Sequence, residues 1–153
     1  MTRDATDFTS PVGAIYGPKV MITNEYAGSG GDALPFMFHE TKAGPLVGKR
    51  TWGGLVGIYD YPVLMDGMTV TAPRVAIYTT RGQFEIENHG VAPDVPVELD
   101  PAQWRAGHDT QLEKAVAIAL DSLSKNPPMV VKRPPYPNYH GGTPTASATT
   151  QKQ

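Results

Sequence analysis

A serine placed among three glycines is the feature of this chain whose residue types and spacing best fit chemistry. The stretch TNEYAGSGGDALPFMF, residues 23–38, sets Ser29 between a run typical of a strand and a run typical of a helix. Ala27-Gly28-Ser29-Gly30-Gly31 differs by one methyl group from the G-x-S-x-G turn that presents a nucleophilic serine. Backbone N–H groups at a helix start are unpaired. The Gly30 amide could therefore donate to a developing oxyanion, an interaction typically worth about 2.7–4 kcal/mol.

Two other interpretations fit the same stretch. The first is a structural turn, in which the glycines relieve crowding and the Ser29 hydroxyl caps the helix. The second is a dinucleotide-binding loop, because Gly28, Gly30 and Ala33 match the spacing G-x-G-x-x-G/A. That loop needs an acidic residue about 20 positions further on, where this chain has LVGKRTWGG instead. We therefore predict no cofactor.

The composition excludes several classes of function. The chain has 153 residues, a net charge of −2, scattered Lys and Arg residues and no cysteine. It lacks the basic stripe of a nucleic-acid-binding protein and any thiolate or cysteine metal site. His39-Glu40 lacks a second histidine four residues away, so a zinc peptidase is not supported and no metal is predicted. No apolar run approaches the roughly 20 residues of a membrane span, and nothing resembles a signal peptide. We expect a cytoplasmic protein that does not bind membranes.

The elements that must position the serine alternate between strand and helix. Patterning predicts strands at 19–23 and 46–51, a helix from Gly30 with Pro35 in or near its first turn, and a hairpin at Asp66-Gly67. A further strand is expected to reach Thr79, followed by a turn at Arg81-Gly82 and a strand over 83–87. In that last strand Phe84 and Ile86 would face one side and Glu87 the other.

The final helix is the clearest element. Thr110 and Glu113 have the spacing of a capping box. Five apolar side chains then recur on one face: Leu112, Val116, Ala119, Leu120 and Leu123. The order of the predicted strands and helices along the chain indicates an α/β layered fold with a β-hairpin middle and a C-terminal helix. We assign residues 1–17 to an N-terminal arm, 18–126 to the folded domain and 127–153 to a Pro-rich disordered tail.

Five ordered motifs resemble one family. GPKVMITNEYAGSGGDALPFMFHE, VGKRTWGGLVGI, LMDGMTVTAPRVAIY, FEIENHGVAPDVPVE and GHDTQLEKAVAIAL are similar to the C-terminal catalytic half of tricorn-type proteases, which are C-terminal-processing (tail-specific) serine peptidases. The resemblance runs from about residue 3 to residue 134. It implies a layered sheet-and-helix architecture of the ClpP/crotonase type, of which this chain would be a partial catalytic domain.

The resemblance also implies roles for single residues. Ser29 matches the nucleophile, and Gly30 matches the residue whose amide forms part of the oxyanion hole. Glu87 matches the glutamate that acts through an intervening serine to orient the catalytic histidine. Trp52, Gly53 and Gly54 match a strand end near the substrate groove.

One part of the family pattern is missing. The family supplies its histidine, with an adjacent serine, from an upstream segment, and this chain contains no His-Ser or Ser-His pair. His89 lies two residues from Glu87 and is a weaker candidate for the missing catalytic base, because a histidine at a strand end is usually solvated. A serine without its base is a poor nucleophile, so we expect little or no activity from this chain alone.

Two functions therefore remain open. The chain is either the nucleophile-bearing part of a peptidase that is completed by an upstream half or by another subunit, or an inactive remnant that binds peptides or oligomerises. In both cases we expect self-association or poor solubility, because a partial layered domain exposes an apolar face.

Overall fold

A computed structural model describes residues 7–137. The elements in this part of the chain are listed in order: β1 (Met21–Thr23), α1 (Gly30–Glu40), β2 (Leu46–Gly48), β3 (Val56–Asp60), β4 (Thr71–Ala76), β5 (Val95–Pro96), α2 (Pro101–Arg105) and α3 (Thr110–Lys125). They confirm the predicted α/β class. Helix α2, which is capped by the Asp100 side chain, was not predicted.

Three parallel strands form the sheet that carries the serine turn. Their order is β1-β2-β5, with Met21 opposite Leu46 and Val47 opposite Val95. Parallel strands need a crossover connection, and α1 supplies it between β1 and β2. The central strand holds the core, because Leu46 and Val47 are completely buried. The predicted strand over 46–51 is shorter than expected and ends at Gly48.

Helix α1 begins at Gly30, as predicted, but one detail differs. Pro35 lies inside the helix rather than in its first turn, and it is buried together with Asp32. Leu34 and Met37 are each 60% exposed. The side of α1 that carries Asp32 and Pro35 is therefore the side that packs inward.

Helix α3 contacts β1 and β2 through a face that the sequence pattern did not single out. Its buried residues are Gln111 and Ala115, and the Gln111 Nε2 donates to the Val97 carbonyl at 2.9 Å. The apolar face defined by Leu112, Val116, Leu120 and Leu123 is exposed in the described structure. The helix turns its polar glutamine toward the sheet because that side chain satisfies a carbonyl just beyond β5.

The predicted capping box does not form. Asp109 is the N-cap residue, and its carboxylate accepts from the Gln111 and Leu112 amides. Thr110 instead donates its hydroxyl to the Glu98 carbonyl at 2.7 Å. A carboxylate is a strong helix cap, so the aspartate one residue earlier takes the role predicted for the threonine.

A two-stranded hairpin, β3–β4, forms a separate sheet. The strands pair antiparallel with an irregularity between Gly57 and Ile58. Residues 61–70 connect them, and the predicted turn lies inside this connection, where Met68 N–H donates to Asp66 Oδ1. The hairpin signal was therefore correct, although the strands begin further from the turn than expected.

The predicted strand to Thr79 forms but ends three residues early, and the predicted strand over 83–87 is wrong. Strand β4 ends at Ala76, and the stretch 77–94 contains no strand. The turn at Arg81-Gly82 does form, with the Gly82 amide donating to the Thr79 carbonyl. Alternation fails beyond it, because Ile86 is 4% exposed while Phe84 is 57% exposed. Ile86 points inward at the start of another turn.

The two termini contain no helix or strand where they are described, at 7–17 and 127–137. The rest of the predicted arm and tail, residues 1–6 and 138–153, lies outside the described residues. None of the helices in the described part of the chain is long and apolar enough to cross a membrane.

Candidate active site

The turn that carries Ser29 is short and tightly bonded to itself. After β1, the Ala27 amide donates to the Asn24 carbonyl, and the Gly31 amide donates to the Gly28 carbonyl at 2.7 Å. Ser29 has φ 53° and ψ −109°. A positive φ with this ψ lies outside the left-handed well that non-glycine residues can occupy. Strained residues of this kind cluster at functional sites, and a strained strand-to-helix turn is the geometry that exposes a nucleophilic serine.

The Ser29 hydroxyl does not cap helix α1. Ser29 occupies the N-cap position and its carbonyl accepts from the Asp32 and Ala33 amides, but its side chain makes no capping hydrogen bond and is exposed. The capping role considered from the sequence is therefore wrong. Within residues 7–137 the Gly30 amide has no acceptor either. An exposed hydroxyl thus stands beside an unpaired helix-start amide.

The segment Trp52-Gly53-Gly54 lies between β2 and β3 rather than at the end of a strand. The Trp52 amide donates to the Ala27 carbonyl at 2.8 Å. Its indole ring, 69% exposed, lies over Gly28 and Gly54, where a Cβ at either position would overlap it. The ring therefore covers part of the turn that holds Ser29.

Asp32 joins this segment to the serine turn, and sequence reasoning missed it. The side chain is fully buried, and its Oδ1 accepts from the Gly53 amide at 2.8 Å. Its Oδ2 is also buried and has no hydrogen-bond donor among the described residues. An acidic residue in the first turn of a helix is ordinarily attributed to the helix dipole, so the pattern alone gave no sign of the contact.

Glu87 lies on a loop that is bonded to the same segment. The Asn88 amide donates to the Gly53 carbonyl at 2.8 Å, and the Val91 amide donates to Thr51 Oγ1 at 2.7 Å. Gly90 packs directly on the Thr51 backbone, where a Cβ would overlap the carbonyl oxygen. Glu87 itself is half-buried. The serine turn and the Glu87 loop are therefore both held against residues 51–54.

The histidines of the described chain are bonded elsewhere. His39 Nε2 lies 3.1 Å from Asp94 Oδ1, and His108 Nδ1 lies 3.0 Å from Glu113 Oε1. His89 Nδ1 lies 2.9 Å from the backbone oxygen of Glu87, which can only accept, so that nitrogen carries the proton. Between residues 7 and 137 no histidine is hydrogen-bonded to Ser29. His140 lies outside the described residues.

A charged cluster lies beside the residues that lead into the serine turn. The Lys49 ammonium is 3.1 Å from Glu98 Oε2 and 3.1 Å from Glu25 Oε1. Hydrogen bonds to Glu98, and then to Glu25, raise the pKa of Lys49 above its ordinary value. Lys49 therefore links the carboxyl ends of β1 and β5. In the described part of the chain no group of three or more acidic or histidine side chains is arranged to hold a metal ion.

Comparison with known proteins agrees with the resemblance drawn from the motifs. The model of peptidase family S41 matches residues 2–97. The tricorn protease of Thermoplasma volcanium is 43% identical over 115 residues, which is 75% of this chain and 11% of that protein. Tricorn protease homolog 1 of Streptomyces coelicolor is 42% identical over 125 residues, which is 82% of this chain and 11% of that protein.

A solved structure supports the same assignment. The crystal structure of the tricorn protease superposes with a TM-score of 0.75 at 39% identity, over 80% of this chain and 12% of that one. The chain therefore spans 11% to 12% of the length of these relatives. The family match covers more than half of the chain and includes the residues of the serine turn. The chain belongs to peptidase family S41.

Proposed function

We propose that this chain carries the nucleophile and the acidic residue of a tricorn-like serine peptidase that hydrolyses peptides in the cytoplasm. Ser29 is the nucleophile, and the Gly30 amide is one donor to the oxyanion. Glu87 orients, through an intervening serine, a histidine supplied by another segment or by another copy. Trp52, Gly53 and Gly54 line the groove for the peptide. The complete architecture is a ClpP/crotonase-type layered domain.

One observation carries the proposal: Ser29 holds a strained backbone conformation while its hydroxyl is exposed and makes no capping bond. A serine kept only for the fold would cap the helix, since the cap is typically worth about 1 kcal/mol. A strained Ser29 backbone without a capping hydrogen bond is explained if the hydroxyl must face the acyl group of a substrate.

The chemistry follows from this arrangement. The Ser29 oxygen attacks the peptide carbonyl and its proton passes to the imidazole, while the carbonyl oxygen becomes an anion facing the Gly30 amide. Collapse expels the amine, which takes the proton from the imidazolium and leaves an ester on Ser29. Water then attacks the ester with the imidazole as base, and the acid product is released.

A second candidate function is supported by the histidines. In the described part of the chain each of them is bonded away from Ser29, and without a base a serine site keeps only a residual acceleration of about 10³–10⁴ over water. An inactive module that binds peptides or oligomerises is therefore the alternative. The exposed apolar face of α3 is compatible with it.

A chimera separates the two candidates. The matching 125 residues of the Streptomyces coelicolor relative would be replaced by those of this chain, and peptide hydrolysis and fluorophosphonate labelling would be measured. We expect the chimera to hydrolyse peptides and to label, and the 153-residue chain alone to label far more slowly. Ser29→Ala should abolish both signals. Ser124→Ala, on exposed α3, is the matched control and should change neither.

Three results would count against the proposal. If an assembled, folded chimera neither labels nor hydrolyses, the inactive module is favoured. If labelling survives Ser29→Ala, the nucleophile is a different residue. If the isolated chain labels as fast as the chimera and loses labelling in Ser29→Ala, the base lies within this chain.

A further inference from the structure

The backbone of Gly53 forms hydrogen bonds with both parts of the candidate site, the helix that follows Ser29 and the loop that carries Glu87. Its amide donates to Asp32 Oδ1 at 2.8 Å, and its carbonyl accepts from the Asn88 amide at 2.8 Å. Asp32 lies three residues after Ser29, in the first turn of α1, and Asn88 follows Glu87. One residue therefore connects the serine turn to the glutamate loop.

The burial of Asp32 is not explained by stability alone. Burying a carboxylate is costly unless its oxygens are hydrogen-bonded, and Oδ2 has no donor among the described residues. An aspartate at an exposed position of the same helical turn would interact with the helix dipole without that desolvation. The contact with Gly53 is what the buried position provides.

The position of Gly53 is sterically constrained. Gly53 has φ 85°, and a Cβ there would lie 2.6 Å from the Gly90 nitrogen and 2.9 Å from the His89 nitrogen. The backbone of the 51–54 segment is therefore in direct contact with the backbone of the Glu87 loop. A displacement of Gly53 must move that loop relative to the serine turn.

We propose that Asp32 is a positioning residue that fixes, through Gly53, the spacing between the Ser29 turn and the Glu87 loop. The inference rests on the function proposed above. Asp32 touches no reacting atom in this role. Its Oδ1 must accept a hydrogen bond at one place, and its charge is not required for that.

Three variants separate position from charge. Asp32→Asn keeps an oxygen acceptor and removes the charge, whereas Asp32→Glu keeps the charge and moves the oxygens by one methylene group. Asp32→Ala removes both. In the 153-residue chain, amide hydrogen exchange at Gly53 should stay slow in Asp32→Asn and accelerate in the other two.

The same variants in the chimera provide a catalytic readout. A misplacement of about 1 Å can cost a site about 100-fold in rate. We expect kcat to fall on that order in Asp32→Ala and Asp32→Glu with KM little changed, and to recover in Asp32→Asn to within a few fold. The thermal midpoint of each variant serves as the measure of folding.

Specific outcomes would overturn the inference. Slow exchange at Gly53 together with an unchanged kcat in Asp32→Ala would do so. If Asp32→Ala does not fold, the comparison of kcat between Asp32→Asn and Asp32→Glu decides. A normal kcat in Asp32→Glu with a loss in Asp32→Asn would show that the charge matters. Failure of the proposed function is distinguishable, because the chimera would then either not hydrolyse peptides or retain hydrolysis in Ser29→Ala, while exchange at Gly53 is still measured without catalysis.

Discussion

Replacing Ser29 with glycine should stabilise the fold while removing the candidate nucleophile. The backbone at φ 53°, ψ −109° is strained by roughly 1–3 kcal/mol in a non-glycine residue. Glycine relieves this strain but adds about 0.4–1 kcal/mol of conformational entropy to the unfolded chain. The net expectation is a gain of about 1 kcal/mol in the free energy of unfolding. For a chain of 153 residues this corresponds to about 3 °C in the thermal midpoint.

Ser29→Ala supplies the matched comparison. Alanine keeps the strain, and no capping hydrogen bond is lost because the Ser29 side chain makes none in the described structure, so the free energy of unfolding should stay within about 0.5 kcal/mol of the parent. Both variants would be measured by urea unfolding followed by circular dichroism. A loss of about 1 kcal/mol in Ser29→Ala would mean that the hydroxyl caps α1. A glycine variant less stable than the alanine variant would mean that the turn is not strained.

Three further expectations concern the fold. Leu46→Ala, in the fully buried strand β2, should lower the free energy of unfolding by about 3 kcal/mol, whereas Leu120→Ala on the exposed face of α3 should change it by less than about 0.5 kcal/mol in the same urea titration. Asp109→Ala removes the cap of α3 and should cost about 1 kcal/mol, with reduced helical circular dichroism; an unchanged signal would contradict the capping geometry. Hydrogen bonds from Arg81 hold the pKa of Glu85 below its ordinary value of 4.5, so this pair stabilises the fold above that pH and the contribution is lost as the pH falls through the lowered pKa. Arg81→Ala should remove that step from an acid titration of stability, and a titration curve identical to the parent's would exclude the pair as its source.

The sequence predicted the serine turn well because its information is local. Glycine spacing, the apolar run before it and the helical period after it all lie within residues 19–41. Alternation over 83–87 was misleading, because Ile86 is buried by a turn that brings its carbonyl to the His89 and Gly90 amides. Hydrophobic periodicity alone does not distinguish a strand from a hydrogen-bonded turn of similar composition.

Contacts between distant segments could not be read from spacing. The bond from Gly53 to Asp32 joins positions 21 apart, and the bond from Leu46 to Asp94 joins positions 48 apart. Both aspartates lie within the family-like motifs, but the spacing of those motifs does not indicate the partner of either one. The face of α3 that packs on the sheet was also unpredictable, because it depends on Gln111 finding the Val97 carbonyl.

The separation between the hairpin and the parallel sheet sets an order of assembly. Strands β3 and β4 are joined by residues 61–70, and β-hairpins form in about 1–10 μs. Strand β5 pairs with β2 across residues 49–94, and Thr51 meets Val91 across 40 positions, so these contacts form more slowly. On a ribosome the hairpin would emerge complete while the segment after Trp52 still lacked its partner loop. We therefore expect a growing polypeptide to fix the spacing between the Ser29 turn and the Glu87 loop only after residue 95 has left the exit tunnel.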